Sequence, residues 1–550
     1  MNERGVSATI RSWAYREPQK GISTTITLWG IFIGWLFVII NASIQHVPWR
    51  DEVRAYTIAI TSADLGALWQ TLHQEGHPLL WYLLLRGLHA IAPYPVVLKI
   101  ASLIIAACTG FIVTMKSPFR IWIRCLILMS EMMIFENSVL SRSYGMSVLC
   151  MFLFAWCYKK YRRKSLVLGS VLFLLANTNI PSAILAGVFL IFWLIDLWDD
   201  KSAEPFHQTS ITYIKNAALA GLGIIICFLT VYPTTNAIAP INHASYNTIT
   251  GLAHSIFLPS LSFYNITPSI AIPLMTSALL FATVSGVISH RASMVALASS
   301  LILLSLFFTM IFTGQYRHQN LWIGFLISIY WIQADRSNLN THVTNRITIK
   351  SALEIIGLIA CFTILCKQAE NGYNFLRLER LIPCSQSENL AVYIQNHPKL
   401  SDAIIMIEPD NLNAALPYYL KNPLYLLRER TFRGYYNQTR NSIQSISILD
   451  ILKRANSLQN STKRPVIILL GNRLERLSKV QDLVTGPASI WTLHLIPSQI
   501  DLFFKSTAFL SSFRPALMGE EFDAYLFTPN RYRELMQHKI SHYKSLQARG

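Results

Sequence analysis

The feature that most limits what this chain can become is a succession of apolar runs of roughly 13 to 22 residues, against the ~20 an α-helix needs to cross ~30 Å of hydrocarbon. They lie near 24–42, 95–115, 121–139, 143–158, 165–177, 181–198, 212–232, 268–289, 293–312, 320–334 and 351–367. Charged residues make up 14% of the chain, against about 25% in soluble proteins. A water-soluble enzyme and a disordered chain are therefore excluded. The expected fold is mainly α: a polytopic membrane helical bundle of about eleven spans with external surface helices, followed by a small C-terminal α/β domain.

Charge placement gives the orientation. Lys and Arg number 47 against 29 Asp and Glu, and the densest basic cluster, Lys159, Lys160, Arg162, Arg163 and Lys164, sits in a short loop between runs. This is the positive-inside pattern, and it argues against a nucleic-acid partner. Arg4, Arg11, Arg16 and Lys20 place residues 1–23 in the cytoplasm. Lys116, Arg120, Arg291, Arg336, Arg346 and Lys350 fall on the same side, whereas 232–268 contains no Asp, Glu, Lys or Arg. The first run lacks a small-residue cleavage site and reads as an uncleaved span.

Between the first two runs lies an external stretch, 43–94. Leu65, Leu68, Trp69 and Leu72 repeat at helical spacing, so Asp64 to Gln74 reads as a surface helix. His77 to Pro93 is apolar but too short to span comfortably, and it is interrupted by Arg86 and His89. If it spanned, the Lys159 to Lys164 cluster would face outward, so it too is placed flat on the outer surface. The bundle is thus 24–368 and the external soluble domain 369–550, where apolar runs shorten and charges become frequent. Ala403 to Ile407, Val466 to Leu470, Asp501 to Phe504 and Ala524 to Thr528 read as strands; Asn411 to Leu420 and Ser442 to Ala455 read as helices. Seven of the eight cysteines fall in or beside apolar runs and Cys384 stands alone, so no disulfide framework or metal-ligand spacing is apparent.

Several polar groups gather on the external side. Trp49, Arg50, Asp51 and Glu52 follow the first run; such carboxylates can act as bases or orient a hydroxyl, or simply cap the next helix. Glu75, Gly76, His77 and Pro78 open the second surface helix. Ser141, Arg142, Ser143 and Tyr144 fill a very short external turn, where a guanidinium can pair with phosphate or snorkel to headgroups. Lys99 invites the same two readings. Gln315 to Asn320, including Arg317 and His318, fill another external turn. Glu131 lies within a span, where a carboxyl is costly unless it has a partner, and Glu136 is nearer the outer end.

Together these groups resemble the GT-C superfamily of membrane glycosyltransferases, which includes protein O-mannosyltransferases and lipid A aminoarabinose transferases. The resemblance covers roughly 20–335 and rests on Trp-x-Asp-Glu at 49–52, Gly-His-Pro-x-Leu-Trp-Tyr at 76–82, Arg-x-Tyr at 142–144 and the Arg317-His318 turn. It implies a bacterial inner-membrane enzyme moving a hexosyl or pentosyl group from a polyprenyl-phosphate donor to a hydroxyl of a glycan, lipid or protein. Inversion at the sugar carbon follows if displacement is direct. Asp51 matches the carboxylate that activates the acceptor and Glu52 its neighbour. Lys99, Arg142, Tyr144, Arg317 and His318 would hold the donor phosphate, and His77 and Arg86 would position substrate. Lys99 departs from the Arg common in relatives and loses the bidentate fork. No cofactor is required; some relatives bind a divalent metal, but these residues do not call for one. Two rival readings stand beside this: a lipid or ion transporter or flippase, although no repeated halves are seen, and a non-catalytic partner in polysaccharide assembly. The sugar, the acceptor and the oligomeric state are not encoded in any linear motif.

Overall fold

The computed structural model describes residues 21–200, 206–237, 248–268, 272–337, 349–437, 439–486 and 490–537. The N-terminal basic residues Arg4, Arg11, Arg16 and Lys20, and Arg346, lie outside the described residues. The chain divides into two compact units: one of 1–45, 76–232 and 241–378, and one of 46–75, 233–240 and 379–550. The first part of the external stretch, 46–75, therefore groups with the C-terminal residues.

In the first unit every apolar run contains a helix. Among the described residues, six of these are long and apolar enough to cross a membrane: Ile22–Gln45, Val97–Lys116, Ile180–Asp199, Thr209–Val231, Arg291–Met310 and Ile349–Leu381. Val167–Ala176 and Pro273–Ser285 are apolar but shorter, while Tyr144–Tyr161 and Tyr316–Ser337 carry more polar residues. Leu79–Ile91 is a 13-residue helix, the length expected of a segment too short to span.

The run at 121–139 departs from expectation. It is a helix only over Ile121–Met129, turns at Ser130, and resumes as a π-helical turn over Met132–Glu136. Two carboxyls in an apolar run must find inward-facing partners, and at the break the Ser130 hydroxyl donates to the Ile127 carbonyl at 2.6 Å. Gly372 packs against the break, where a Cβ would come within 2.5 Å of the Met129 carbonyl oxygen. Elsewhere the helices are tied by buried polar groups: Trp35 Nε1 donates to Leu128 O at 2.8 Å, and Asn216 Oδ1 accepts from Gly169 N–H at 2.7 Å.

One end of this bundle is basic and clasped. Asp196, buried near the end of Ile180–Asp199, accepts from Tyr158 Oη at 2.6 Å and Arg162 at 2.9 Å. His290 Nε2 lies 3.2 Å away and Arg336 is in contact. Arg162 also reaches Asp200 at 2.6 Å, as does Arg163. The C-terminal ends of Tyr144–Tyr161, Ile180–Asp199 and Tyr316–Ser337 thus meet the N-terminal end of Arg291–Met310, the alternation that an up-and-down bundle requires.

The second unit is the α/β part. Strands β1 (Ile404–Glu408), β2 (Leu424–Leu426), β3 (Thr431–Phe432), β4 (Ser445–Ser447), β5 (Val466–Leu470), β6 (Gln481–Thr485), β7 (Trp491–Leu495), β8 (Thr507–Phe513) and β9 (Phe522–Phe527) build two sheets, ordered β3-β2-β1-β5-β9-β8 and β4-β7-β6. The central strands β2, β1 and β5 are parallel, and β9 and β8 add antiparallel. Strands β1 and β5 are buried throughout, as a parallel pair covered on both faces must be. Asp501 to Phe504, expected as a strand, lies in helix Pro497–Ser506, which begins on a proline and buries Ile500 and Phe503. A short apolar run does not distinguish strand from helix by periodicity. The expected helix at Asn411 to Leu420 is a 3-10 segment, Asp410–Tyr418.

Candidate functional site

In the first unit, three separate segments converge. His77 precedes helix Leu79–Ile91, Arg142 and Tyr144 open helix Tyr144–Tyr161, and His318 lies in the first turn of Tyr316–Ser337. The Arg142 guanidinium donates to His77 Nε2 at 3.2 Å. Its carbon lies 5.9 Å from the Tyr144 ring centroid. Tyr144 Oη and His318 Nε2 are 2.8 Å apart, and Gln315 N–H donates to His318 Nδ1 at 3.1 Å.

These bonds fix proton positions. A guanidinium only donates, so His77 accepts on Nε2 and carries its hydrogen on Nδ1. His318 accepts on Nδ1, so its hydrogen is on Nε2 and is donated to the Tyr144 oxygen. The phenolic O–H of Tyr144 is then left to donate elsewhere. Arg142 and His77 are half-buried, while Tyr144 and His318 are buried. A guanidinium near a hydroxyl donor suits an anionic oxygen such as phosphate.

The other expected donor-site residues sit on adjoining elements. Arg317 neighbours His318 and donates to Gln315 Oε1 at 2.9 Å. Lys99 is half-buried in the first turn of Val97–Lys116, and Arg86 is half-buried on the packed helix Leu79–Ile91. Glu131 has its partner in Asn320, whose Nδ2 donates to Oε2 at 2.5 Å. That pair spans 189 positions, beyond any sequence window.

In the second unit, Asp51 and Glu52 occupy the first turn of helix Arg50–Thr61 but have different surroundings. The Asp51 side chain is 29% exposed, with Arg50 Nε 3.9 Å away. Glu52, expected to act beside it, is instead fully buried. Its Oε2 accepts from Trp49 N–H at 3.2 Å and pairs with His46 Nε2 at 2.8 Å. The first contact is the acidic half of a capping box, so Glu52 fixes the start of the helix that presents Asp51. Glu379 meets the other nitrogen of His46. Burial disfavours charge on His46, but Glu52 and Glu379 outweigh it and hold its pKa well above the usual histidine value.

Sequence reasoning did not single out His46, Glu379, Glu520 or Arg54. Glu520 Oε1 accepts from Arg50 N–H at 2.6 Å, at the N-terminus of the Asp51 helix. Arg54 Nε donates to Glu75 at 2.9 Å, its Nη1 donates to Tyr436 O at 2.7 Å, and it stacks 4.2 Å from the Tyr436 ring. Glu75 and His77 therefore serve different units, separated by Gly76 at φ +67°, a conformation glycine adopts readily.

Burial pushes the Glu520 carboxyl up to about 7, with Arg50 opposing. Between about pH 4.5 and 7 the folded chain holds this proton and the unfolded chain has released it, so stability should fall as pH rises through that window. The Glu520 contribution is about 3 kcal/mol. Glu520→Gln should remove that part of the slope and be the more stable form at pH 8. Proteolytic susceptibility measured against pH, wild type beside variant, checks this; parallel curves would refute it.

No protein-family model matches the chain, and no curated protein matches it. Among solved structures the chain is similar to ArnT from Cupriavidus metallidurans in the apo state, at 9% identity and TM-score 0.45, over 92% of this chain and 99% of that one. It is similar to the same protein bound to undecaprenyl phosphate at 10% identity and TM-score 0.45, over 92% and 98%. A third is the arabinofuranosyltransferase AftD from Mycobacteria, at 10% identity and TM-score 0.37, over 90% of this chain and 41% of that one. At these identities and scores the residue roles rest on this chain's own motifs and geometry.

Proposed function

We propose that the protein is a membrane glycosyltransferase that moves a sugar from a polyprenyl-phosphate donor to an acceptor hydroxyl on the non-cytoplasmic face of a bacterial inner membrane, with inversion the expected outcome of direct displacement. The observation that carries this reading is the assembly of Arg142, Tyr144, His77 and His318 at one end of the helical unit. Tyr144 begins the helix whose other end carries Tyr158 and Arg162 in the basic clasp with Asp196. Positive-inside orientation assigns the clasp to the cytoplasm, so in this reading the anion site belongs to the opposite face. A donor with an apolar tail and a phosphate head needs such a boundary position.

The chemistry follows from charge development. As the sugar–phosphate bond breaks, negative charge grows on the leaving phosphate, and donors fixed around it bind the transition state more strongly than the ground state. In this reading Arg142 supplies the cation and Tyr144 an O–H donor. Lys99, Arg317 and Arg86 complete the basic surroundings in this reading. Asp51 takes the acceptor proton late in attack, when the hydroxyl has become acidic, because an ordinary carboxylate is a weak base toward a ground-state alcohol. Glu52 holds Asp51 in place. The hexosyl or pentosyl identity of the sugar is set by pocket shape.

Mass spectrometry of polyprenyl-linked intermediates and surface glycans, with and without the protein, tests the reading. A missing sugar with accumulated donor is expected; unchanged pools would refute it. Arg142→Ala should raise the donor concentration needed for half-maximal transfer about 10- to 100-fold, the equivalent of one charge-assisted hydrogen bond, with abundance in the membrane near wild type. Initial rates against donor concentration check this, and an unchanged dependence would assign Arg142 to the membrane surface alone.

A further inference from the structure

The start of the Asp51 helix gathers a second set of side chains, with metal-ligand chemistry. His46 is buried at the end of the first apolar helix. Its Nδ1 meets Glu379 Oε1 and its Nε2 faces Glu52 Oε2 at 2.8 Å. The Cys384 thiol, also buried, donates to Glu379 Oε1 across 3.3 Å. Single ligand atoms from His46, Glu379 and Cys384 all lie within 4.8 Å of one another. All of these residues belong to the second unit.

An ion-pair cluster accounts for the imidazole and two carboxylates but gives no purpose to a thiol, which is a weak hydrogen-bond donor. A thiolate ligand would have one. We propose that His46 Nδ1, Glu379 and Cys384 form a mononuclear site for a thiophilic divalent cation of the zinc type, with water as fourth ligand and Glu52 as the carboxylate that orients His46. The donor set is that of a borderline-soft ion. Zn–S near 2.3 Å and Zn–O near 2.1 Å in a tetrahedron put sulfur and oxygen about 3.6 Å apart, close to the 3.3 Å between Cys384 and Glu379. Admitting the ion requires the Glu379 carboxylate to back away from the ring.

Charge balances in the exchange. With carboxylates on both ring nitrogens, His46 is an imidazolium; the entering dication displaces its Nδ1 proton and the thiol proton to solvent, and the net charge is unchanged. The remaining Nε2–H donates to Glu52, the outer-carboxylate arrangement that fixes a ligating histidine. Through Glu52, whose backbone is in the first turn of the Asp51 helix, the ion would lock that helix to the segment 379–384. The site stands independently of the glycosyl-transfer reading, because its test is metal binding.

The full-length protein is purified in detergent without chelator, its metal content measured, then stripped and titrated with Co2+. One equivalent of Co2+ with a sulfur-to-cobalt charge-transfer band is expected, and Cys384→Ser should abolish the band. Glu52→Gln should weaken binding about 10- to 100-fold. The zinc-loaded wild type needs no variant: its X-ray absorption fine structure should show one sulfur at about 2.3 Å among nitrogen and oxygen ligands. Failure to bind Co2+, a shell of light atoms only, or a band that survives Cys384→Ser would overturn the proposal.

Discussion

Asp51→Asn should reduce glycosyl transfer about 10²- to 10⁴-fold, the range a positioned general base contributes, while membrane insertion and abundance stay close to wild type. The side chain is partly exposed in the first turn of its helix, so an isosteric amide leaves no buried group unpaired, and Asn is tolerated at helix starts. Glu52→Gln gives the contrast. It weakens the His46 contact and the return bond to Trp49 N–H, so it should reduce stability and abundance along with transfer. Specific transfer rates, normalised to folded protein, separate the two. An Asp51→Asn variant with full transfer from a lipid-linked donor would remove Asp51 as the base.

The largest expected loss of stability lies elsewhere. Arg428, buried beside β1, donates from Nε to Glu408 at 3.0 Å and from Nη1 to the Ile443 and Gln444 carbonyls at 3.0 and 2.8 Å. Glu408 ends β1, at the centre of the larger sheet. Arg428→Met strands this carboxylate in the interior, at a cost of about 3–5 kcal/mol. Adding Glu408→Gln should recover part of that loss, since the orphaned charge is removed. Proteolysis of 379–550 in the intact chain, compared among wild type, single and double variants, checks both statements. A wild-type cleavage rate in Arg428→Met would refute them.

How much of this was legible in the sequence depends on the range of the interaction. Hydropathy located the helical segments because crossing a membrane imposes a length and composition on each one alone. Val466 to Leu470 reads as a strand for an equally local reason, an apolar run bounded by polar residues. The break at Ser130 was not legible, since the favourable partner for Glu131 is Asn320, on another helix. Glu52 shows the same limit: next to Asp51 in sequence the two carboxylates look equivalent, and only His46 and the Trp49 amide distinguish the buried one from the exposed one.

The sequence by itself determined that the chain is a multispanning helical protein with a mixed α/β C-terminal part, and it marked Asp51, His77, Arg142 and Tyr144 as candidates, because length, hydropathy and short motifs are properties of contiguous residues. Only the tertiary structure decided that His77, Arg142, Tyr144 and His318 share one hydrogen-bonded cluster, and that residues 46–75 fold with the C-terminal domain. The physical reason is that directional bonds between distant segments depend on how helices and strands pack, and packing sums over the whole chain.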